Sequence, residues 1–251
     1  MSLVHRHAVH EVVWPRSQSS PSHGHPLPRV LIVDDNQTLA CRDVDFLHSA
    51  HFTTDVATTV DDVPRRVLTN PPDAIVLSAD LPPGQAIHLC QRIRGDFSGP
   101  ILVVTETPHA TVEVAAFEAG ADDYVRRPKD NLRLALRLHA ACRRNRFVPT
   151  ISGYIDAELE VNPTRRHVRV HGTPVQVTSA QFDVLHMLAQ HAGRPLPRDV
   201  YYRATTGAPY NGTDRTLDIH LSHLRNTLVR AGLSRLRLST VRGIGYQLNM
   251  L

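Results

Sequence analysis

The chain is short of cysteine, and it has no long apolar run and no internal repeat. Cys41, Cys90 and Cys142 are the only cysteines, odd in number, widely spaced and outside any CxxC arrangement. That favours reduced cytosolic thiols over a disulfide framework. No stretch approaches the roughly 20 apolar residues needed to cross a bilayer. The opening MSLVHRHAVHEVVW is broken by His5, His7, His10 and Glu11, so it lacks the apolar core of a signal peptide. A cytoplasmic protein with no membrane partner is expected. Cys90 and Cys142 are candidate redox sensors only weakly, because no electropositive setting is evident beside Cys90.

What is present suits two domains, since 251 residues exceed one typical domain of roughly 100–150. Charge is divided unevenly. Lys and Arg stand against Asp and Glu at 14 to 16 over residues 28–150, but at 12 to 7 over residues 151–251. A basic final third suits a polyanion partner, although many solvated surfaces carry as much.

Residues 1–27 hold Ser, Pro and His without hydrophobic periodicity and read as a disordered tail. Its His5, His7, His10, His23 and His25 suit either a transition-metal chelate or, more simply, a solvated tail. From residue 28 to 146, short apolar runs alternate with helical stretches: Val30–Val33, Phe52–Ala57, Ala74–Leu77, Ile101–Val104 and Asp123–Val125. Five such strands predict a parallel sheet covered on both faces, with ligands at the C-terminal strand ends. Residues 147–152 read as a linker before a second domain over 153–251. There LEV, HVRV and VQV predict antiparallel strands. Ser179–Gln190, Pro197–Ala204 and Asp214–Arg230 predict helices, and RLRLSTVRGIGYQLNM predicts a β-hairpin.

Asp34-Asp35 follow the first run, Thr105 ends the fourth, and AGADDYV leads to Arg127-Pro128 after the fifth. These motifs resemble the receiver domain of response regulators, over about residues 28–146. The resemblance implies a (βα)5 flavodoxin-like fold in which Asp34 and Asp35 are the acidic pair, Thr105 the switch hydroxyl and Tyr124 the rotating aromatic. In that family the acidic pair and an acceptor aspartate hold magnesium, and the hydroxyl and a lysine contact the bound phosphoryl group. The departures cluster at that chemistry. In PDAIVLSADLPP, Ser78 stands where the family keeps its phosphate-accepting aspartate, Arg127 replaces the lysine, and Gln85-Ala86 replace the usual Asp-Gly. A serine hydroxyl cannot form an acyl phosphate, and Arg is no conservative exchange for Lys at a phosphate site. Two alternatives stay open. Asp80 is a rival acceptor, and Asp34-Asp35 either bind Mg²⁺ weakly or form a solvated acidic turn.

NGTDRTLDIHLSHLRNTL spaces Leu217, Leu221, Leu224 and Leu228 as one buried stripe, with donors assigned to the other faces. With TVRGIGYQL it closely resembles the winged-helix effector domain of OmpR/PhoB-type response regulators, over about 153–250. The resemblance implies an α+β winged helix-turn-helix that binds duplex DNA. Its recognition helix is Asp214–Arg230 and its wing is 236–248. Arg215, Thr216 and His220 are expected on phosphates, Ser222, His223 and Arg225 on bases or adjoining backbone, and Arg242 near a minor groove. Tyr246 is either a phosphate donor or hairpin packing. The loop TGAPYNG contacts polymerase or DNA in relatives, which adds RNA polymerase to the expected partners.

The sequence therefore predicts a two-domain transcription regulator, not an enzyme. It is expected to bind DNA as a homodimer through the receiver, independently of phosphorylation and with no cofactor required, and the sequence leaves a partner histidine kinase open. The opposite charges of Arg133 and Arg137 against Glu118, Asp122 and Asp123 are expected to pair across that dimer. The rivals are a conventional regulator phosphorylated on Asp80 and a protein-interaction adaptor that no longer reads DNA.

Overall fold

The computed structural model describes residues 27–127, 132–146, 154–155, 158–233 and 236–250. The expected N-terminal tail, the linker at 147–152 and Pro128 lie outside the described residues.

The first domain runs β1 (Arg29–Val33), α1 (Gln37–Ser49), β2 (Thr53–Ala57), α2 (Val63–Thr69), β3 (Ala74–Ser78), α3 (Gln85–Arg94), β4 (Ile101–Thr105), α4 (Ala110–Glu118), β5 (Asp123–Arg126) and α5 (Leu132–Arg146). The strands form a parallel sheet in the order β2-β1-β3-β4-β5. Every residue of β3 and β4 is buried, whereas edge strand β2 alternates. Inner strands covered on both faces must be apolar throughout, which is why their runs are continuous. One core layer gathers Leu31, Val33, Ile75, Leu77, Ile101 and Val103, and the other Val30, Ile32, Val76, Leu102 and Val104. The strand order reverses between β1 and β3, so Asp34, Ser78 and Thr105 meet beyond the same sheet edge.

The second domain runs β6 (Tyr154–Ile155), β7 (Leu159–Asn162), β8 (His167–Val170), β9 (Thr173–Val175), α6 (Ser179–Gln190), β10 (Leu196–Pro197), α7 (Arg198–Thr206), α8 (Thr216–Arg230), β11 (Leu236–Val241) and β12 (Gly245–Met250). An antiparallel sheet β6-β7-β8-β9 precedes the helices, and a sheet β10-β12-β11 closes the chain. Three expectations are corrected here. The third strand is Thr173–Val175, not VQV, because His171 and Gly172 both take positive φ and set Thr173 opposite Val170. Pro197 pairs with Gly245 as an edge strand rather than opening the helix, and the C-terminal hairpin is thereby a three-stranded wing. Tyr154–Ile155 pairs antiparallel with β7 as a further strand of the first of these sheets.

Helix α6 begins with a reciprocal cap: Thr178 Oγ1 accepts from Gln181 N, and Gln181 Oε1 accepts from Thr178 N. The α8 stripe, Leu217, Leu221, Leu224 and Leu228, is buried with Phe182, Leu185, Leu188 and Leu248. At about 1.5–3 kcal/mol for each buried leucine, this stripe fixes which face of α8 turns inward.

Candidate receiver pocket and nucleic-acid interface

In the receiver pocket a fixed cation is already installed. Arg127 follows β5 and is buried, its Nη2 paired with the Asp34 carboxylate and lying 3.2 Å from Asp43 Oδ2 on α1. The other Asp34 oxygen accepts the Asn36 amide at 2.9 Å. Ser78 ends β3 fully buried, and the Asp80 amide reaches its Oγ at 3.4 Å. Asp80 lies in the exposed turn beyond. Its Oδ1 accepts the Thr105 hydroxyl at 2.6 Å and its Oδ2 accepts the Glu106 amide at 2.9 Å. Tyr124 is half-buried on β5, and burial raises its phenol above the ordinary range.

A hard divalent cation wants six or more oxygen ligands, several of them anionic. These donors do not fit one. Ser78 offers only a hydroxyl, both Asp34 oxygens are engaged, and Asp35 faces solvent. Among the described residues no group of three or more His, Cys, Asp or Glu is placed to hold a metal ion. Cys90 lies in the core, and burial pushes its thiol up to about 12, so it carries no thiolate at neutral pH. Cys142 is also buried.

The two domains meet through α4, β5 and α5. Asp122, just before β5, carries much of the contact. Its Oδ1 accepts the Ala180 amide at 2.7 Å in the first turn of α6, where helix dipole and free amides favour an anion. Its Oδ2 accepts Ile101 N and Arg94 Nη2, both at 2.8 Å. Its carbonyl accepts His220 Nε2 from α8 at 2.9 Å. The His220 ring also meets the Phe117 ring of α4 edge-on, centroids 5.1 Å apart. Arg137 on α5 bridges Asp123 at 2.5 Å and Asp214, before α8, at 3.4 Å, and the Asp123 carboxylate beside it raises its pKa. The charges expected to pair across a dimer, Asp122, Asp123 and Arg137, are thus used within one chain.

The expected DNA contacts divide into exposed and internal groups. Arg215 at the α8 N-cap, Ser222 on α8 and Arg242 in the wing turn are exposed. Thr216 is half-buried, its amide capped by Asp214 Oδ1 at 2.9 Å. His223 is half-buried beside a groove lined by Phe117, Glu118, Gln181 and Asn226. His220 is corrected: it is buried against the receiver, not turned outward, and burial lowers its pKa. Arg225 is half-buried and committed within the fold, its Nε and Nη2 donating to Leu238 O of β11 at 3.1 and 2.8 Å. Tyr246 is hairpin packing. It is buried, its hydroxyl accepts Arg198 Nη2 at 3.0 Å, and that guanidinium lies over its ring.

A parallel receiver sheet followed by a winged helix defines a regulator in which an input domain governs a DNA-reading one. Two family models match the chain: "Response regulator receiver domain" over residues 30–139 and "Transcriptional regulatory protein, C terminal" over residues 172–248. The sensory transduction protein RegX3 of Mycolicibacterium smegmatis is 34% identical over 227 residues, covering 87% of this chain and 98% of the relative. The transcriptional regulatory protein PrrA of Mycobacterium tuberculosis is 34% identical over 228 residues, covering 89% and 97%. Two solved structures of RitR mutants share the fold at TM-scores of 0.67 and 0.68, at 20% and 19% identity, each covering 89% of this chain and 99% of theirs. The chain belongs to the OmpR/PhoB family of response regulators, as a DNA-binding transcription factor with a receiver and a winged helix. No described helix is long and apolar enough to cross a membrane.

Proposed function

We propose that this protein regulates transcription without a phosphorylation switch, binding duplex DNA as a dimer. The observation that carries this reading is the pocket: Ser78 lies buried where an acceptor carboxylate would be needed, and Arg127 places a fixed cation between Asp34 and Asp43. No acyl phosphate forms on a serine, and magnesium is not required. Recognition uses α8 and the wing, with Arg215, Thr216, Ser222, His223 and Arg242 as the DNA-facing set and phosphate contacts dominating affinity. Through His220, α8 itself packs on α4, so one flank of α8 is covered.

Dimerisation through α4, β5 and α5 would use the surface that now holds the effector domain, so opening and dimer formation are one event. The retained basic groups of α8 and the wing favour DNA reading over an adaptor role. RNA polymerase is a further partner at the loop before α8. The test is affinity for a selected duplex with and without acetyl phosphate and Mg²⁺. Unchanged affinity, with no added phosphate in the intact mass, is the expected outcome. A phosphodonor-dependent gain would replace this reading with a conventional regulator phosphorylated on Asp80.

A further inference from the structure

Asp80 makes an unusual pair of contacts for an exposed loop residue. Its two oxygens take the hydroxyl of Thr105 and the backbone amide of Glu106, donors from the end of β4 and the first residue beyond it. Both donors converge on one anion, and both lie at the sheet edge where Asp34, Ser78 and Arg127 gather. A hydroxyl and a free amide aimed at one point form a cradle for an anionic oxygen pair. Thr105 is locked there, because its Oγ1 also lies 3.2 Å from Thr107 O and accepts the Thr107 amide at 3.1 Å.

We propose that Asp80 is a built-in anion: its carboxylate permanently fills the cradle of Thr105 and Glu106 that an added phosphoryl group would otherwise occupy. The inference rests on the reading that Ser78 is no acceptor, and deepens it by saying what replaces the missing phosphoryl. The chain supplies both charges of the switch itself, with Arg127 as cation and Asp80 as anion. Asp80 is then a positioning residue. It holds the loop from Glu106 to His109, which leads into α4, the helix whose Phe117 meets His220 of α8.

The experiment restores the acceptor and asks whether Asp80 blocks it. Two full-length variants are compared by amide NMR with beryllium fluoride and Mg²⁺: Ser78→Asp with Arg127→Lys, and the same pair with Asp80→Ala added. Shifts at the Thr105 and Glu106 amides only in the triple variant are expected. Equal shifts in both variants, or in neither, overturn the proposal. A second measurement needs no restored acceptor: Asp80→Ala and Asp80→Asn in the natural chain should speed Glu106 amide exchange about tenfold or more, while Val103 and Val104 stay protected. Unchanged Glu106 exchange overturns the proposal as well. Acetyl phosphate adding mass to the natural chain would instead overturn phosphorylation independence, so the two failures are read separately.

Discussion

Arg127 shows how a single residue can turn a reactive pocket into a structural one. Its guanidinium is buried between Asp34 and Asp43, so its removal would take a buried cation away from two interior carboxylates. Breaking such a pair costs about 3–5 kcal/mol, far more than an exposed ion pair contributes. Arg127→Ala should therefore lower the unfolding free energy by that much at pH 7, seen as a lower urea midpoint with an unchanged denaturant slope. Arg127→Lys should recover part of the loss, since it keeps the charge but not the planar fork. An unchanged midpoint for the alanine variant would remove Arg127 from its structural role. This position was legible as a departure in sequence, because Pro128 follows it and AGADDYV precedes it. Its partner Asp43 was not, since a lone aspartate on α1 carries no signal that it faces inward.

Among the elements, legibility followed burial and length. The continuous apolar runs gave the five receiver strands to within a residue or two, because inner parallel strands are covered on both faces. The two-residue strands β6 and β10 were invisible, since pairs that short have no period and are created by partners far along the chain. The α8 stripe was plain, but the burial of His220 was not. It borders the stripe, and its ring is covered by Asp122 and Phe117 of the receiver rather than by the effector core, a contact that local spacing does not announce. In the wing, Gly245 is required by close approach: a Cβ there would lie 1.9 Å from Leu196 O. Gly245→Ala should detach β10 from β12 and destabilise the effector domain by about 1–3 kcal/mol or more, seen as a lower thermal midpoint. Arg242→Ala, exposed in the same wing, should leave stability alone. It should weaken DNA binding by about 1–3 kcal/mol and reduce the salt slope by about 1. Equal affinity and slope would take the wing out of the interface.

At the scale of the whole molecule, the contact between domains is where sequence reading had least purchase, because Asp122, Phe117 and His220 lie far apart in the chain. It also makes opening testable from the receiver side. Phe117→Ala lies on the receiver, outside the DNA-facing set, and it removes the aromatic partner of His220, so it should raise DNA affinity by about tenfold. The same contact gives the molecule a pH dependence. Burial lowers the pKa of His220 from its ordinary value of 6.5, against the upward pull of Asp122 and Asp123 and with His223 adding to the depression. The assembled state therefore binds protons less readily than an opened one in which His220 meets water. Its stabilisation is fully present above about pH 6.5 and is lost as pH falls below that value towards the depressed pKa. Acid should thus separate the domains and uncover α8. Small-angle scattering on the full chain should give a larger radius of gyration at pH 5.5 than at pH 7.5. His220→Gln, which can still donate to the Asp122 carbonyl but cannot titrate, should abolish the difference. A radius that does not change with pH in the natural chain, or that changes equally in the glutamine variant, would show that His220 does not govern the opening.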